Sequence, residues 1–219
     1  MTLSDPIVPR SLVQEAFERI ADAIFEGEIA PGDHIQEARL ARQLGISRAV
    51  VREALQRLEG LWLVSRTPNV GAHVIRPNPQ DLYELCTMLE ALCGLAAKLA
   101  ATHMPDDEIA DTSAFIDAVA SAEPPPPVLK VTEEFFHRIA RGSRNARLER
   151  MVCDDFRHQL TFYSRHVEVH PGWPQVMPSE WRGILDAIAR RAPDAAEAAI
   201  RTHVRHWRAN LFIAGSAAD

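Results

Sequence analysis

Residues 40–60 read LARQLGISRAVVREALQRLEG, and this stretch decides the fold of the first part of the chain. Gly45 interrupts a helical pattern. Ser47 is suited to cap the helix that follows, because its hydroxyl can accept a hydrogen bond from an otherwise unpaired amide. An apolar series with helical spacing then runs from Val51 to Leu58 and is expected to face the core. The stretch therefore predicts two helices joined by a tight turn.

The segments on either side complete a larger pattern. Residues 12–25 show the apolar rhythm of an amphipathic helix, and a second helix is predicted at about 36–44. After the third helix, residues 63–66 and 72–75 are typical of two short strands, with the turn between them at 68–71. Three helices followed by a β-hairpin predict a winged helix-turn-helix.

The pattern of predicted elements changes near residue 77, with short elements before it and long helices after it. Pro77, Asn78 and Pro79 resist helix and strand alike, so we place the boundary there, between domains at 1–77 and 78–219. The second domain is predicted to be an all-helical antiparallel bundle, which makes the fold class mainly α. Its predicted helices are 81–103, 107–121, 128–141, 145–168, 174–191 and 194–213.

Composition excludes several classes of protein. The chain has 219 residues, a net charge of −6, 47% hydrophobic and 25% charged residues, which is ordinary globular composition. The first residues lack the basic and then apolar pattern of a signal peptide, and we expect no apolar run of the roughly 18–20 residues that span a bilayer. Three cysteines without a CxxC pair argue against a disulfide scaffold or a zinc knuckle. We expect a cytoplasmic protein with no membrane partner.

Positive charge is concentrated in one segment. Residues 39–76 carry seven arginines against two acidic residues, a net charge of +5, whereas residues 1–38 and 77–219 have net charges of −6 and −5. Arg48 and Arg52 lie near the start of the third predicted helix, outside its apolar face, where a recognition helix meets bases and phosphates. Arginine binds either group through paired hydrogen bonds. A solvated arginine face is the alternative, but the order of elements favours DNA binding.

Several motifs carry a family resemblance. In the first domain they are Gly27-x-x-x-Pro31-Gly32, Leu40-Ala41-x-x-Leu44-Gly45-Ile46-Ser47-Arg48 and Val51-Arg52-Glu53-Ala54-Leu55; in the second they are Phe136-His137, Asn145-x-x-Leu148, Ile184-Leu185-Asp186-Ala187-Ile188 and Ala199-x-x-x-His203. The first set resembles the GntR family of bacterial transcription regulators, and the second resembles the FCD effector domain of its FadR subfamily. A count of six helices in the second domain is similar to the VanR-like branch. The resemblance implies a DNA-binding domain followed by a domain that binds an effector and dimerises.

The resemblance also implies the DNA-contacting positions. They are the arginines of the second and third helices, a hydroxyl at the helix start and the wing tip that enters the minor groove, namely Arg39, Ser47, Arg48, Arg52, Asn69 and Gly71. The family commonly has Thr-Pro where this chain has Ala49-Val50, and an arginine in the wing where it has Val70. These departures concern the operator sequence. The expected partner is a double-stranded operator with an inverted repeat, bound by a homodimer.

FCD domains often hold a divalent metal through one Asp and three His. Glu133 and His137, four residues apart on one helix, match the Asp and the first histidine, and His203 matches the last. Trp181 stands where the middle histidine is expected, and an indole is not a metal ligand. Two interpretations remain open. Either Glu133, His137 and His203 hold a metal such as zinc at partial occupancy with water completing the shell, or the first two form an ordinary helix pair and Trp181 fills the cavity.

The predicted effector pocket is unusually apolar. The family often has an arginine and a glutamate four residues apart on the first bundle helix, and this chain has Leu89 and Cys93 there. The expected effector is therefore a small carboxylic acid or a more apolar metabolite. The predicted pocket residues are Leu89, Cys93, Glu133, His137, Trp181 and His203.

The favoured function is a transcription regulator, a repressor, whose operator binding responds to a small metabolite. One alternative is a DNA-binding protein whose helical domain only dimerises and binds no effector. Another is a metal-dependent enzyme in which Glu133, His137 and His203 activate water. The chain has no GxSxG, HExxH, phosphate loop or Rossmann glycine pattern, so we expect no enzyme.

Overall fold

A computed structural model describes residues 11–67, 71–164 and 166–213. Backbone contacts divide the chain into two compact units, Met1–Arg76 and Pro77–Asp219. The division falls one residue before the predicted boundary. The predicted mainly α class, with a winged helix-turn-helix and a helical domain, is confirmed.

Local sequence explains the helices of the first unit. Ser11 and Ser47 cap the first and third helices, and their hydroxyls accept hydrogen bonds from the amides of Gln14 (3.1 Å) and Val50 (3.3 Å). Gly45 ends the second helix at φ 68°, a left-handed conformation that favours glycine, so the chain turns sharply there. The elements are α1 (Leu12–Phe25), β1 (His34–Ile35), α2 (Glu37–Leu44), α3 (Arg48–Gly60), β2 (Val64–Thr67) and β3 (Gly71–Val74).

The wing is a three-stranded antiparallel sheet, whereas the sequence predicted only the hairpin. β3 lies between β1 and β2, with His34 opposite His73 and Ile35 opposite Ala72. β1 was missed because two residues are too few to show a strand periodicity. The inner face of the sheet packs into the core of the unit with α1 and α3, through Ile35, Val64, Ala72, Val74, Val51, Ala54, Leu55 and Leu58, all of them buried.

Most predicted helices of the second unit are observed within two residues of their expected ends. Asn78 caps the first of them, and its side-chain oxygen accepts from the amide of Asp81 at 2.9 Å. The elements are α4 (Pro79–His103), α5 (Asp106–Ser121), α6 (Val128–Gly142), α7 (Ala146–Arg150), a π-helical turn (Met151–Asp155), α8 (Phe156–Ser164), β4 (Val167–Val169), α9 (Trp173–Ala189), α10 (Pro193–Ala209) and β5 (Leu211–Ile213).

Two predictions about this unit are wrong in detail. The helix expected over 145–168 is interrupted by the π-helical turn, ends at Ser164, and gives way to β4. β4 pairs antiparallel with β5, which replaces the end of the helix expected over 194–213, so the unit is not entirely helical. Strands of three residues that pair across more than 40 positions leave no local pattern to recognise.

The long helix α4 corrects a further expectation. Among the described residues it is long and apolar enough to cross a membrane by length and composition alone, although no such run was predicted. Half of that window is buried inside the structure. Cys86 and Cys93 on this helix are buried free thiols, and burial raises the pKa of each to about 12.

Candidate nucleic-acid interface and helical-domain centre

Three predicted DNA-contacting arginines lie exposed on α2 and α3. Ser47 caps α3, so that Arg48 is its first residue and Arg52 follows one turn later. Arg39 is exposed on α2. The amino-terminal end of a helix carries partial positive charge from its dipole, which adds to the charge of the side chains there. Arg39, Arg48 and Arg52, here called the arginine face, therefore form a surface suited to phosphates and to the acceptor edges of bases.

One acidic residue lies beside this face, and the sequence analysis missed it. Glu37 begins α2, and its Oε2 is 2.9 Å from Nη2 of Arg52. Nε of Arg52 lies 3.3 Å from each oxygen of the same carboxylate. The hydrogen bond from Arg52, together with the charges of Arg66 and Arg48, holds the pKa of Glu37 below its usual value although burial opposes this. No local pattern predicts the pair, because it joins two helices 15 residues apart.

The wing brings a glycine against a histidine. Gly71 is exposed at the start of β3 with φ 101°, and a Cβ atom there would lie 2.5 Å from Nε2 of His34. The backbone conformation therefore favours glycine at this position, whereas the exposed His34 side chain could move away from a Cβ atom. Asn69, the other predicted wing contact, lies outside the described residues.

Two predicted pocket residues meet at the centre of the helical domain. Nε1 of Trp181 donates a hydrogen bond to Nε2 of His203 over 2.9 Å, and both residues are buried. The indole ring stacks on Phe135, with centroids 4.5 Å apart and planes at 7°. Because an indole nitrogen can only donate, Nε2 of His203 accepts, and its proton is assigned to Nδ1.

The hydrogen-bond chain continues to a carboxylate. Nδ1 of His203 donates to Oε2 of Glu180 over 2.7 Å, and Nδ1 of His206 donates to Oε1 over 2.7 Å. Burial lowers the pKa of His203, which favours the neutral imidazole that this arrangement requires. Burial would raise the pKa of Glu180, but the hydrogen bonds from the two histidines bring it below its usual value. Trp181, His203, Glu180 and His206 are here called the indole–imidazole chain.

Two family models match the two structural units. The model of the FCD domain matches residues 81–206, and the model of bacterial regulatory proteins, gntR family, matches residues 12–74. The chain belongs to the GntR family. It is a DNA-binding transcription regulator with an FCD domain, so the predicted resemblance to the GntR family and to the FCD domain is confirmed. The count of six helices behind the VanR-like branch is wrong, because the helix expected over 145–168 is split into α7 and α8 and the described residues of the second unit form seven α-helices. The enzyme alternative is set aside, because the matched families and the relatives are regulators.

Individual relatives agree with this assignment. The "Nta operon transcriptional regulator" of Aminobacter aminovorans is 39% identical over 131 residues, which cover 56% of this chain and 59% of that protein. The "Probable D-xylose utilization operon transcriptional repressor" of Paenarthrobacter nicotinovorans is 27% identical over 83% of this chain and 80% of that protein. The solved structure of E. coli McbR/YncC has a TM-score of 0.63 at 19% identity, covering 90% of this chain and 94% of that one, and it shows the shared fold.

The predicted metal ligands of this GntR-family regulator do not form one site. The described residues contain no group of three His, Cys, Asp or Glu side chains that could hold a metal ion. Nε2 of His137 is buried without a hydrogen-bond partner among the described residues and lies 3.8 Å from Oε1 of Glu133, so these two remain neighbours. His203 does not join them, because both of its ring nitrogens are taken, by Trp181 and Glu180. A three-ligand metal site does not fit this arrangement.

The remaining predicted pocket residues belong to the core. Leu89 and Cys93 lie on α4 with 0% and 1% of their surfaces exposed. The side chains of Leu89 and Cys93 are therefore packed in the protein core and do not line an open cavity. Glu180 and His206 were missed, although the spacing of His203 and His206 places both histidines on one side of α10.

We expect the purified regulator to carry less than a full complement of tightly bound metal. Trp181→His should raise the occupancy, because an imidazole replaces an indole that cannot coordinate and Nε2 of His203 is released. Elemental analysis of both proteins, prepared without chelator, measures the difference. Stoichiometric metal in the wild type that persists in His137→Ala would place the metal site elsewhere.

Proposed function

We propose that this regulator is a cytoplasmic homodimeric repressor that binds an inverted-repeat operator and responds to a small metabolite. In this proposal the arginine face reads the operator together with Ser47 and the wing residues Asn69 and Gly71. The observation that carries the proposal is the exposure of Arg48 and Arg52 at the amino-terminal end of a capped recognition helix. Repression is supported by the Paenarthrobacter relative, which is described as a probable transcriptional repressor.

The exposed face of α4 supports association with a second copy. Met88 and Leu95 lie seven residues apart on one face of α4, and they are large hydrophobic residues with 55% and 43% of their surfaces exposed. Grouped apolar side chains on a surface are typical of interaction sites. A two-fold dimer matches the two-fold symmetry of an inverted repeat.

We expect the protein to be a dimer in solution, and we expect charged substitutions on this face of α4 to convert it into a monomer. The double variant Met88→Glu and Leu95→Glu should be monomeric in light scattering, because two desolvated carboxylates oppose the contact. Val176→Glu is the matched control, since Val176 is 46% exposed on α9.

The predicted dimer should also be detectable in DNA binding. Deleting one half-site of the operator should weaken binding by about 10²-fold or more, because the second half-site is bound intramolecularly. A wild-type protein that is monomeric at micromolar concentration and insensitive to half-site deletion would contradict the dimer.

Effector binding in the helical domain is proposed for a small carboxylic acid or a more apolar metabolite. The indole–imidazole chain supplies few free polar groups, which supports the more apolar class. A thermal-shift screen of metabolites tests it, because a ligand that binds the folded state raises the unfolding temperature. Such a ligand must also change operator affinity.

An effector-free helical domain is the second candidate. The burial of Leu89, Cys93 and Trp181 at 0%, 1% and 0% exposure favours it, since these positions were predicted to line the pocket. A screen in which no carboxylic acid or apolar metabolite shifts the unfolding temperature or the operator affinity would support this candidate.

A further inference from the structure

We propose that Glu37 is a positioning residue for operator recognition. It binds one edge of the Arg52 guanidinium group, so that another edge of that group presents two N–H donors to a guanine. The proposal rests on the proposed function, because it requires the arginine face to meet the operator. It assigns a role in base discrimination to an acidic side chain that carries no donor for DNA itself.

The geometry of the pair leaves a defined part of the guanidinium free. An arginine side chain has five N–H donors in a planar fork. Glu37 accepts from Nε at 3.3 Å and from Nη2 at 2.9 Å, which occupies the side edge of the fork. One hydrogen on Nη1 and one on Nη2 remain at the end of the fork and point in parallel. That pair matches O6 and N7 of guanine in the major groove.

Neither DNA affinity nor folding accounts for this carboxylate. The hydrogen bond from Arg52, together with the charges of Arg52, Arg66 and Arg48, lowers the pKa of Glu37, so its side chain brings a negative charge to this surface. A negative charge at a surface that approaches phosphates opposes binding. An ion pair as exposed as this one, with 60% of the Arg52 side chain and 26% of the Glu37 side chain exposed, adds little to stability. Orientation of Arg52 is the remaining contribution.

The carboxylate is held by regular structure. Glu37 is the first residue of α2, and Arg52 lies in the second turn of α3. The two helices are joined by the sharp turn at Gly45 and anchored by buried Ala41 and Val51. A recognition side chain held from a rigid neighbouring helix loses less conformational freedom when it meets a base.

The experiment compares Glu37→Gln with the wild type on two duplexes at one fixed salt concentration. The probes are an operator selected from random double-stranded DNA by the wild-type protein and a scrambled duplex of equal length. We expect the ratio of operator to scrambled affinity to fall about 5–10-fold, with the loss concentrated at one G·C pair. Affinity for the scrambled duplex should be unchanged or higher, because a negative charge is removed.

A matched control separates positioning from charge. Glu53→Gln removes the same charge from α3, where Glu53 lies 3.7 Å from Arg57. It should leave the affinity ratio unchanged. Thermal unfolding of both variants, expected to match the wild type, verifies that each protein is folded.

The Arg52→Ala background decides between outcomes. If Glu37 acts through Arg52, Glu37→Gln changes the ratio no further once the arginine is absent. An equal fall in that background would overturn the proposal, because Glu37 would then contact DNA itself. If Arg52→Ala lowers the affinity ratio and Glu37→Gln does not, the positioning role of Glu37 is wrong, but the proposed function stands. If Arg52→Ala leaves the ratio unchanged, the arginine face does not read the operator, and that part of the proposed function is wrong.

Discussion

Replacing Trp181 with alanine is expected to destabilise the helical domain by about 3–5 kcal/mol, the range for deleting a large buried aromatic side chain. The indole is 0% exposed and stacks on Phe135. Its loss leaves a cavity and also leaves Nε2 of His203 buried without its donor. Denaturant unfolding followed by circular dichroism, which reports mainly on the helical domain, measures the difference.

Two further variants separate the parts of this effect. Trp181→Phe retains much of the stacking but not the hydrogen bond, and we expect a smaller loss of about 1–3 kcal/mol. Trp62→Ala, at a residue 70% exposed, should change stability by about 0.5 kcal/mol or less. A loss of less than about 1 kcal/mol in Trp181→Ala would contradict the central role assigned to the indole.

The second large effect is expected at the arginine face. Arg52→Ala should cost about 1–3 kcal/mol of operator binding, because a bidentate contact to guanine is lost, and it should relax specificity at one base pair. If Arg52 contacts a phosphate instead, Arg52→Ala should weaken binding to all sequences equally. It should also reduce the slope of log affinity against log salt concentration by about one. Fluorescence anisotropy on operator variants, repeated over a range of salt concentrations, distinguishes the two.

Arg57→Ala serves as the control for Arg52→Ala. Arg57 lies on the same helix, but its Nη1 donates to Oε1 of Gln14 on α1 at 3.0 Å. Arg57→Ala therefore removes the same charge as Arg52→Ala, at a position away from the arginine face. It should weaken operator binding less and leave the base preference intact. Equal behaviour of the two variants would mean that α3 does not read the operator through Arg52.

The part of this protein that could be predicted from sequence is the part with local causes. Gly45 and Ser47 dictate a turn and a cap through their own backbone preferences, so the helix-turn-helix follows from a few residues. The apolar series from Val51 to Leu58 likewise determines which face of α3 is buried. The helices of the second unit were predictable for the same reason, because their apolar spacing is regular over several turns.

Long-range pairing and side-chain direction could not be predicted. The helix expected over 145–168 was the least accurate, because the π-helical turn Met151–Asp155 changes the phase of the side chains along it. Trp181 was identified as a departure from the family pattern, yet its hydrogen bond to His203 depends on how α9 and α10 pack against each other. Glu37 was missed for the same reason, since its partner lies on another helix.

The placement of the four tryptophans has a practical consequence for spectroscopy. Trp62, two residues after the end of α3, is solvated, whereas Trp173, Trp181 and Trp207 are buried in the second unit with at most 2% of their surfaces exposed. Indole emission depends on the polarity around the ring, so the two units contribute separable bands at longer and shorter wavelengths. Quenching by a soluble quencher would reach only the band from the first unit. The unlabelled protein thus contains its own optical probe for each domain, which allows DNA contact and ligand entry to be followed in one sample.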